Sequence, residues 1–236
     1  MDLTALLIVA AAVAIAAFVQ ATSGLGFALI VAPVMGLFAP ALLPACVLLL
    51  MLPLNAYVVW RERTAIDRGG ATWITFGRLV GTFGGLWIVL VLSAHALNIL
   101  VGVVTILAAF TTLLLPAFHA GRSAFVAAGL VTGITETATG IGGPPLALVY
   151  QHHPPPVLRS TIAVCFLIGQ LISLALLAIA HKVQTTALAS TALLLPALVL
   201  GALLSRYVHR RVDGKGLRVF VLLFAIVSGV VLLVRA

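Results

Sequence analysis

Apolar residues fill this chain in blocks about as long as a bilayer crossing, and polar or Pro/Gly-rich breaks separate them. A spanning helix needs about 20 apolar residues. Reading the blocks between breaks gives eight segments: 3–38, 41–60, 71–92, 96–115, 123–151, 157–180, 185–205 and 216–234. Two of these, 3–38 and 123–151, are interrupted internally by glycines. The pattern predicts an all-α polytopic membrane protein with almost no mass outside the bilayer. The stretch from Leu3 to Val19 is apolar but has only Asp2 as a charge before it. A signal peptide carries a basic leading region, so this segment is expected to belong to the fold.

The interrupted segments resemble each other. Gln20-Ala-Thr-Ser23-Gly24-Leu25-Gly26-Phe27 aligns without gaps on Glu136-Thr-Ala-Thr139-Gly140-Ile141-Gly142-Gly143, an offset of 116. Pro40 then falls on Pro156 and Leu42 on Leu158, while Gly81 falls on Gly201 and Leu97 on Leu217 at an offset of 120. The chain therefore reads as two homologous halves, 1–118 and 119–236. Each half is an interrupted, re-entrant helix followed by three transmembrane helices. Internal duplication is the usual build of secondary transporters.

Composition narrows the classes. Of 236 residues, 63% are hydrophobic and 8% charged, against about 25% charged in a soluble domain. No water-facing surface is covered by so few charges, which excludes a soluble enzyme. The net charge of +8 reflects 5 acids more than 13 bases, so no nucleic-acid partner is implied. The charges sit in loops, where they also report orientation. If all eight segments cross once, Arg61, Arg63, Arg68, Arg78, Arg122, Lys182 and Arg235 lie on one side. Arg159, Arg206, Arg210, Arg211, Lys215 and Arg218 lie on the other, and the positive-inside bias is lost. If segment 5 enters and leaves on the same side, only Lys182 and Arg235 oppose the other eleven. With segment 1 doing likewise, the halves are inverted repeats and both termini lie outside. A dual-topology dimer also explains a near-even split, so a homodimer is a further expectation.

Glycine pairs flanked by Thr or Ser break helices, and in a bilayer the freed backbone groups survive only where they line a cavity or are buried in protein. A helix resuming after such a break presents N–H groups and a positive dipole end. Two facing breaks predict an anion site near the midplane. Its candidate residues are Gln20, Thr22, Ser23, Gly24 and Gly26 in the first motif, and Thr139, Gly140, Gly142 and Gly143 in the second. Close helix packing is the bland reading of such glycines, and the pairing of the motifs weighs against it. Pro144 and Pro145 suit a first helical turn. Glu136 is the only acid outside a loop or terminus, and an intramembrane carboxylate suggests a coupling group, a gate charge paired with an arginine, or a neutral group bonded to the break. Arg78 and Arg159 are the basic candidates for holding the anion, with interfacial snorkelling as the alternative. Asn55 and Gln170 occupy nearly equivalent places in helices 2 and 6 and are expected to face the cavity.

Cys46 and Cys165 lie in apolar runs with no metal-ligand spacing, and the six histidines (His95, His119, His152, His153, His181, His209) fall in or near loops. Neither a metal nor a cofactor is predicted. An intramembrane serine enzyme is disfavoured, because Ser23 lacks a glycine two places before it and no histidine lies well inside a helix to act as base.

Thr139-Gly140-Ile141-Gly142-Gly143-Pro144-Pro145-Leu146 followed by Arg159-Ser160-Thr161 resembles the second-half signature of the TauE/SafE sulfite exporter family. Gln20 through Gly24-Leu25-Gly26-Phe27 to Pro33, then Arg61-Glu62-Arg63 and Ile66-Asp67, resembles its first half. The likeness covers essentially the whole chain. One departure is Phe27-Ala28, where forms with three consecutive glycines carry Gly. The resemblance implies a multi-pass permease of the bacterial inner membrane for sulfite, sulfoacetate or other organosulfonates, mainly an exporter. A passive anion channel, or a permease for a different small organic anion, shares every feature above. An inside-negative potential favours anion exit by about 2.3 kcal/mol per charge per 100 mV, so export needs no coupled ion. Import needs one, and Glu136 is the carboxylate placed to carry its proton.

Overall fold

The computed structural model describes residues 2–114, 120–208 and 214–235. Within them every long element is an α-helix: α1 (Leu3–Ser23), α2 (Phe27–Phe38), α3 (Ala45–Glu62), α4 (Arg68–Val91), α5 (Ala94–Leu114), α6 (Arg122–Thr139), α7 (Gly143–Tyr150), α8 (Pro155–Ile179), α9 (Thr185–Val208) and α10 (Gly214–Arg235). Each of the eight expected segments carries a helix, and the two interrupted ones carry two each. Among the described residues six helices are long and apolar enough to cross a membrane, so the chain is a multi-pass membrane protein. The boundary expected between residues 118 and 119 lies outside the described residues at His119 and just before it, as do His209, Arg210 and Arg211.

Local chemistry sets the helix ends. Asp2 accepts from Ala5 N at 2.9 Å and caps α1. Asp67 accepts from Gly69 N and Gly70 N, both at 3.1 Å, and caps α4. Its other oxygen accepts from the buried Tyr150 hydroxyl at 2.8 Å, so the end of α7 is tied to the start of α4.

Contacts between helices give their directions. Asn55 on α3 meets Gln170 on α8, while Glu62 further along α3 meets Arg159 further back on α8. These two helices are antiparallel. On α5 and α10, Gly102 approaches Leu233 and Ile106 approaches Gly229, which is again antiparallel. By contrast α4 runs parallel to α6, with Gly77 against Val126 and Gly85 against Ile134 and Thr137. It also runs parallel to α8, through Asp67–Thr161 and Arg78–Gly169. The chain turns back on itself between α1 and α2, where Phe27 N donates to the Gln20 side chain at 3.2 Å.

Polarity is inverted relative to a soluble protein. Leu7, Phe76, Phe83, Trp87, Leu107, Leu193 and Leu223 face outward, whereas Asn55, Arg78, Thr132, Glu136, Gln170 and Ser173 are fully or almost fully buried. Hydrocarbon surrounds the first set, and the second set finds its partners inside.

Candidate functional site: a cavity between two helix breaks

Both breaks begin with the same backbone. Gly24 N donates to Gln20 O at 2.8 Å and Gly140 N to Glu136 O at 2.7 Å. The two glycines have φ of 85° and 83°, in the left-handed region that favours glycine. In each, the preceding hydroxyl accepts the N–H two residues on: Leu25 N to Ser23 Oγ at 3.4 Å, Ile141 N to Thr139 Oγ1 at 3.2 Å. The breaks then diverge. Gly26 keeps a positive φ of 116°. Gly142 does not, and a Cβ there would meet Glu136 Cβ and Thr132 Cγ2, each at 2.9 Å.

The N-termini of α2 and α7 border one cavity, with Gly26 and Ala28 from the first and Gly143 and Pro144 from the second. Gly24 packs against the Arg159 stem near the start of α8, and Gly140 against Val47 near the start of α3. Because α3 and α8 are antiparallel, the breaks lie on either side of the level at which Asn55 meets Gln170. Leu25 spans the gap, with its Cδ2 3.2 Å from a Cβ position on Gly143.

Between the breaks is a cavity of about 360 Å³, a size ordinary for small-molecule sites. Gln20, Thr22, Ser23 and Gly26 line it from the first break, Gly143 and Pro144 from the second, and Gln151 and Arg159 at the loop end. Its donors differ from those expected. The Thr22 hydroxyl bonds Phe18 O at 2.8 Å and Ser205 Oγ at 3.0 Å, and that of Ser23 bonds Leu25 O at 2.7 Å. These hydroxyls serve the break before they can serve an anion. At α7, Pro144 and Pro145 supply no N–H. The charged donor is Arg159, half-buried and held by Glu62 through Nε at 3.1 Å and Nη2 at 2.9 Å. Gln20 accepts from Phe27 N, which leaves its amino group as the donor, and Gln151 Nε2 is buried without a partner.

The remaining candidates form a second group behind the cavity wall. Arg78 and Glu136 make a fully buried ion pair through Nη2 and Oε2. Glu136 Oε1 accepts from Gln170 Nε2 at 2.8 Å, and Gln170 Oε1 accepts from Asn55 Nδ2 at 3.1 Å. The chain Arg78–Glu136–Gln170–Asn55 thus joins α4, α6, α8 and α3. None of the four lines the cavity, nor do Gly24, Thr139, Gly140 or Gly142. Phe166 and Met51 belong to both groups: each lines the cavity, Phe166 stacks on the Arg78 guanidinium at 5.5 Å, and Met51 Sδ lies 3.6 Å from Gln170 Nε2. Sequence reading missed these two and Gln151, because they sit in an apolar run or at a helix end with no motif around them.

A second cavity, of about 230 Å³, lies beyond the other break and is lined by Pro44, Val89, Asn98, Ala138 and Lys182 among others. Leu48, Val89, Ala138 and Leu177 form a buried apolar cluster beside it.

The family model described as Sulfite exporter TauE/SafE matches residues 9–232. No curated protein and no solved structure matches the chain.

Proposed function

We propose, from the premise that this chain belongs to the TauE/SafE sulfite exporter family, that it carries a small sulfite- or sulfonate-class anion out of the bacterial cytoplasm across the inner membrane. At family level the protein is a membrane transporter of sulfur anions. The finer reading rests on one observation: a cavity of about 360 Å³ between two related helix breaks, with Arg159 in its wall. Sulfite, sulfoacetate and other organosulfonates share a compact cluster of oxygens, and a guanidinium with two amide donors suits that cluster. Arg159 is bonded to Glu62, so an anion bound here would compete with that carboxylate for the guanidinium.

The two-halves reading has its own support. Gly81 on α4 touches Leu130 O on α6, and Gly201 on α9 touches Ala14 O on α1. Under the sequence repeat the two contacts are counterparts, since Gly81 corresponds to Gly201 and Leu130 to Ala14. The antiparallel α3–α8 and α5–α10 pairs accord with inverted halves. If the α1–α2 and α6–α7 turns each return to the side they entered from, the loop charges split with Lys182 and Arg235 opposite the rest. The positive-inside rule then sets the Arg159 end, and the mouth of the cavity, toward the cytoplasm.

The test is flux in proteoliposomes of the purified full-length protein, with labelled sulfite, sulfoacetate and isethionate beside a carboxylate control. Saturable sulfur-anion flux with trans-stimulation is expected, and ohmic flux without saturation would mean a pore. Arg159→Gln should lower flux at least about tenfold, the loss of one charged hydrogen-bond partner. Glu62→Gln, which removes the competitor, should lower the half-saturating concentration instead. Equal flux of the carboxylate would remove the sulfur selectivity.

A further inference from the structure

We infer that Arg78 is a second anion station, between the two cavities, and that Glu136 is the resident anion a substrate must displace there. This rests on the cavity reading above and extends it from entry to passage. Arg78 is 1% exposed, and its Nε and Nη1 have no hydrogen-bond partner. Glu136 takes only Nη2, although a guanidinium offers a carboxylate two parallel N–H groups. Buried N–H groups of a cation are costly to leave unmade, and here they are left on the one arginine in the middle of a helix. The guanidinium also lies directly against the backbone of α8. A Cβ on Gly169 would overlap the guanidinium, so α8 runs past Arg78 with no side chain at that point. Phe166 separates Arg78 from the first cavity, which makes rotation of one ring the obstacle to reaching it.

Charge balance gives the consequence. Arg78 and Glu136 together are neutral. A monovalent anion added to them would leave a net negative charge in a layer that does not tolerate one. If the anion takes the guanidinium and the displaced Glu136 carboxylate takes a proton that enters with it from the bulk aqueous side, the layer stays neutral: cation, anion and carboxylic acid. Gln170, already bonded to Glu136, keeps the displaced group in reach. Arg78 from α4 is the charged group that faces Glu136, Gln170 from α8 is neutral, and the thiol of Cys165 on α8 faces Arg78. Transport therefore links one proton to each monovalent anion, so movement through this station is electroneutral, and export by this route runs on the anion and proton gradients instead of the membrane potential.

Methanesulfonate is the probe, because it stays a monoanion at every working pH. In proteoliposomes of the full chain, wild-type flux should move protons in a one-to-one ratio with labelled methanesulfonate, read by an internal pH dye. Glu136→Gln should abolish the proton movement and, in detergent, bind methanesulfonate about tenfold more tightly. That variant leaves a buried cation unpaired and risks misfolding. The neutral double variant Arg78→Gln with Glu136→Gln avoids this: it should keep methanesulfonate binding at the first cavity within a few-fold of wild type while flux falls to background. Proton movement absent in wild type, or unchanged in Glu136→Gln, overturns the inference, as does wild-type flux in the double variant. Wild-type protein that binds neither methanesulfonate nor sulfite overturns the first-cavity reading itself, whatever Arg78 does.

Discussion

Gly24 shows how much one position carries. Its φ of 85° lies where a side chain costs about 1–2 kcal/mol, and its missing Cβ is the space that the Arg159 stem occupies. Gly24→Ala should therefore lower the melting temperature and, by shifting Arg159, lower transport as well. Gly121→Ala is the matched control: its φ is −92° and nothing lies near its Cβ position, so neither property should change. Normal transport by Gly24→Ala would show that the placement of Arg159 does not matter. The demand on Gly24 was legible in the sequence because its motif occurs twice. The fate of the hydroxyls was not. Whether Ser23 and Thr139 turn toward a ligand or toward the carbonyl one turn back depends on a rotamer, and the structure turns them back, to Val19 O at 2.9 Å and Thr135 O at 2.7 Å.

Among the elements, α4 and α6 touch backbone to backbone. Cβ atoms on Gly77 and Gly81 would enter the carbonyls of Val126 and Leu130, and one on Gly129 that of Ile74. Small residues let helices approach this closely where lipid gives no hydrophobic drive to associate. Gly81→Ala should cost about 1–3 kcal/mol as overpacking, read as a lower melting temperature and less monodisperse protein. Gly84→Ala, which meets only the Ile134 side chain at 3.3 Å, should behave as wild type. Equal behaviour of the two variants would mean that the helices can separate without loss. The existence of the helices was legible because bilayer thickness sets block length. Their partners were not, since nearly every face is apolar and no stripe marks the buried side. Glycine spacing was read as a rival to the site; the molecule uses glycines both for the breaks and for this seam.

At the scale of the whole molecule, the tight seams join one half to the other: α4 to α6, and α9 to α1. Any rigid body built on these seams would therefore be mixed, with helices from both stretches of the sequence. Fragments 1–118 and 119–236 expressed alone should aggregate, while co-expressed they should recover substrate binding. A lone half that purifies as a folded monomer would contradict the mixed bodies. The helix turns at the two interrupted segments were legible at this scale, because a glycine motif interrupts the apolar run in both places and a separate helix follows each. The Gly81–Leu130 and Gly201–Ala14 contacts reach further back. If the halves share an origin and lie inverted, each packed against an upside-down copy of itself, the chain descends from a short polypeptide that entered the membrane both ways round. Such an ancestor had to keep its loop charges nearly balanced. The lopsided charges of the present chain would then have been acquired after fusion, when inheritance no longer required either half to insert in two directions.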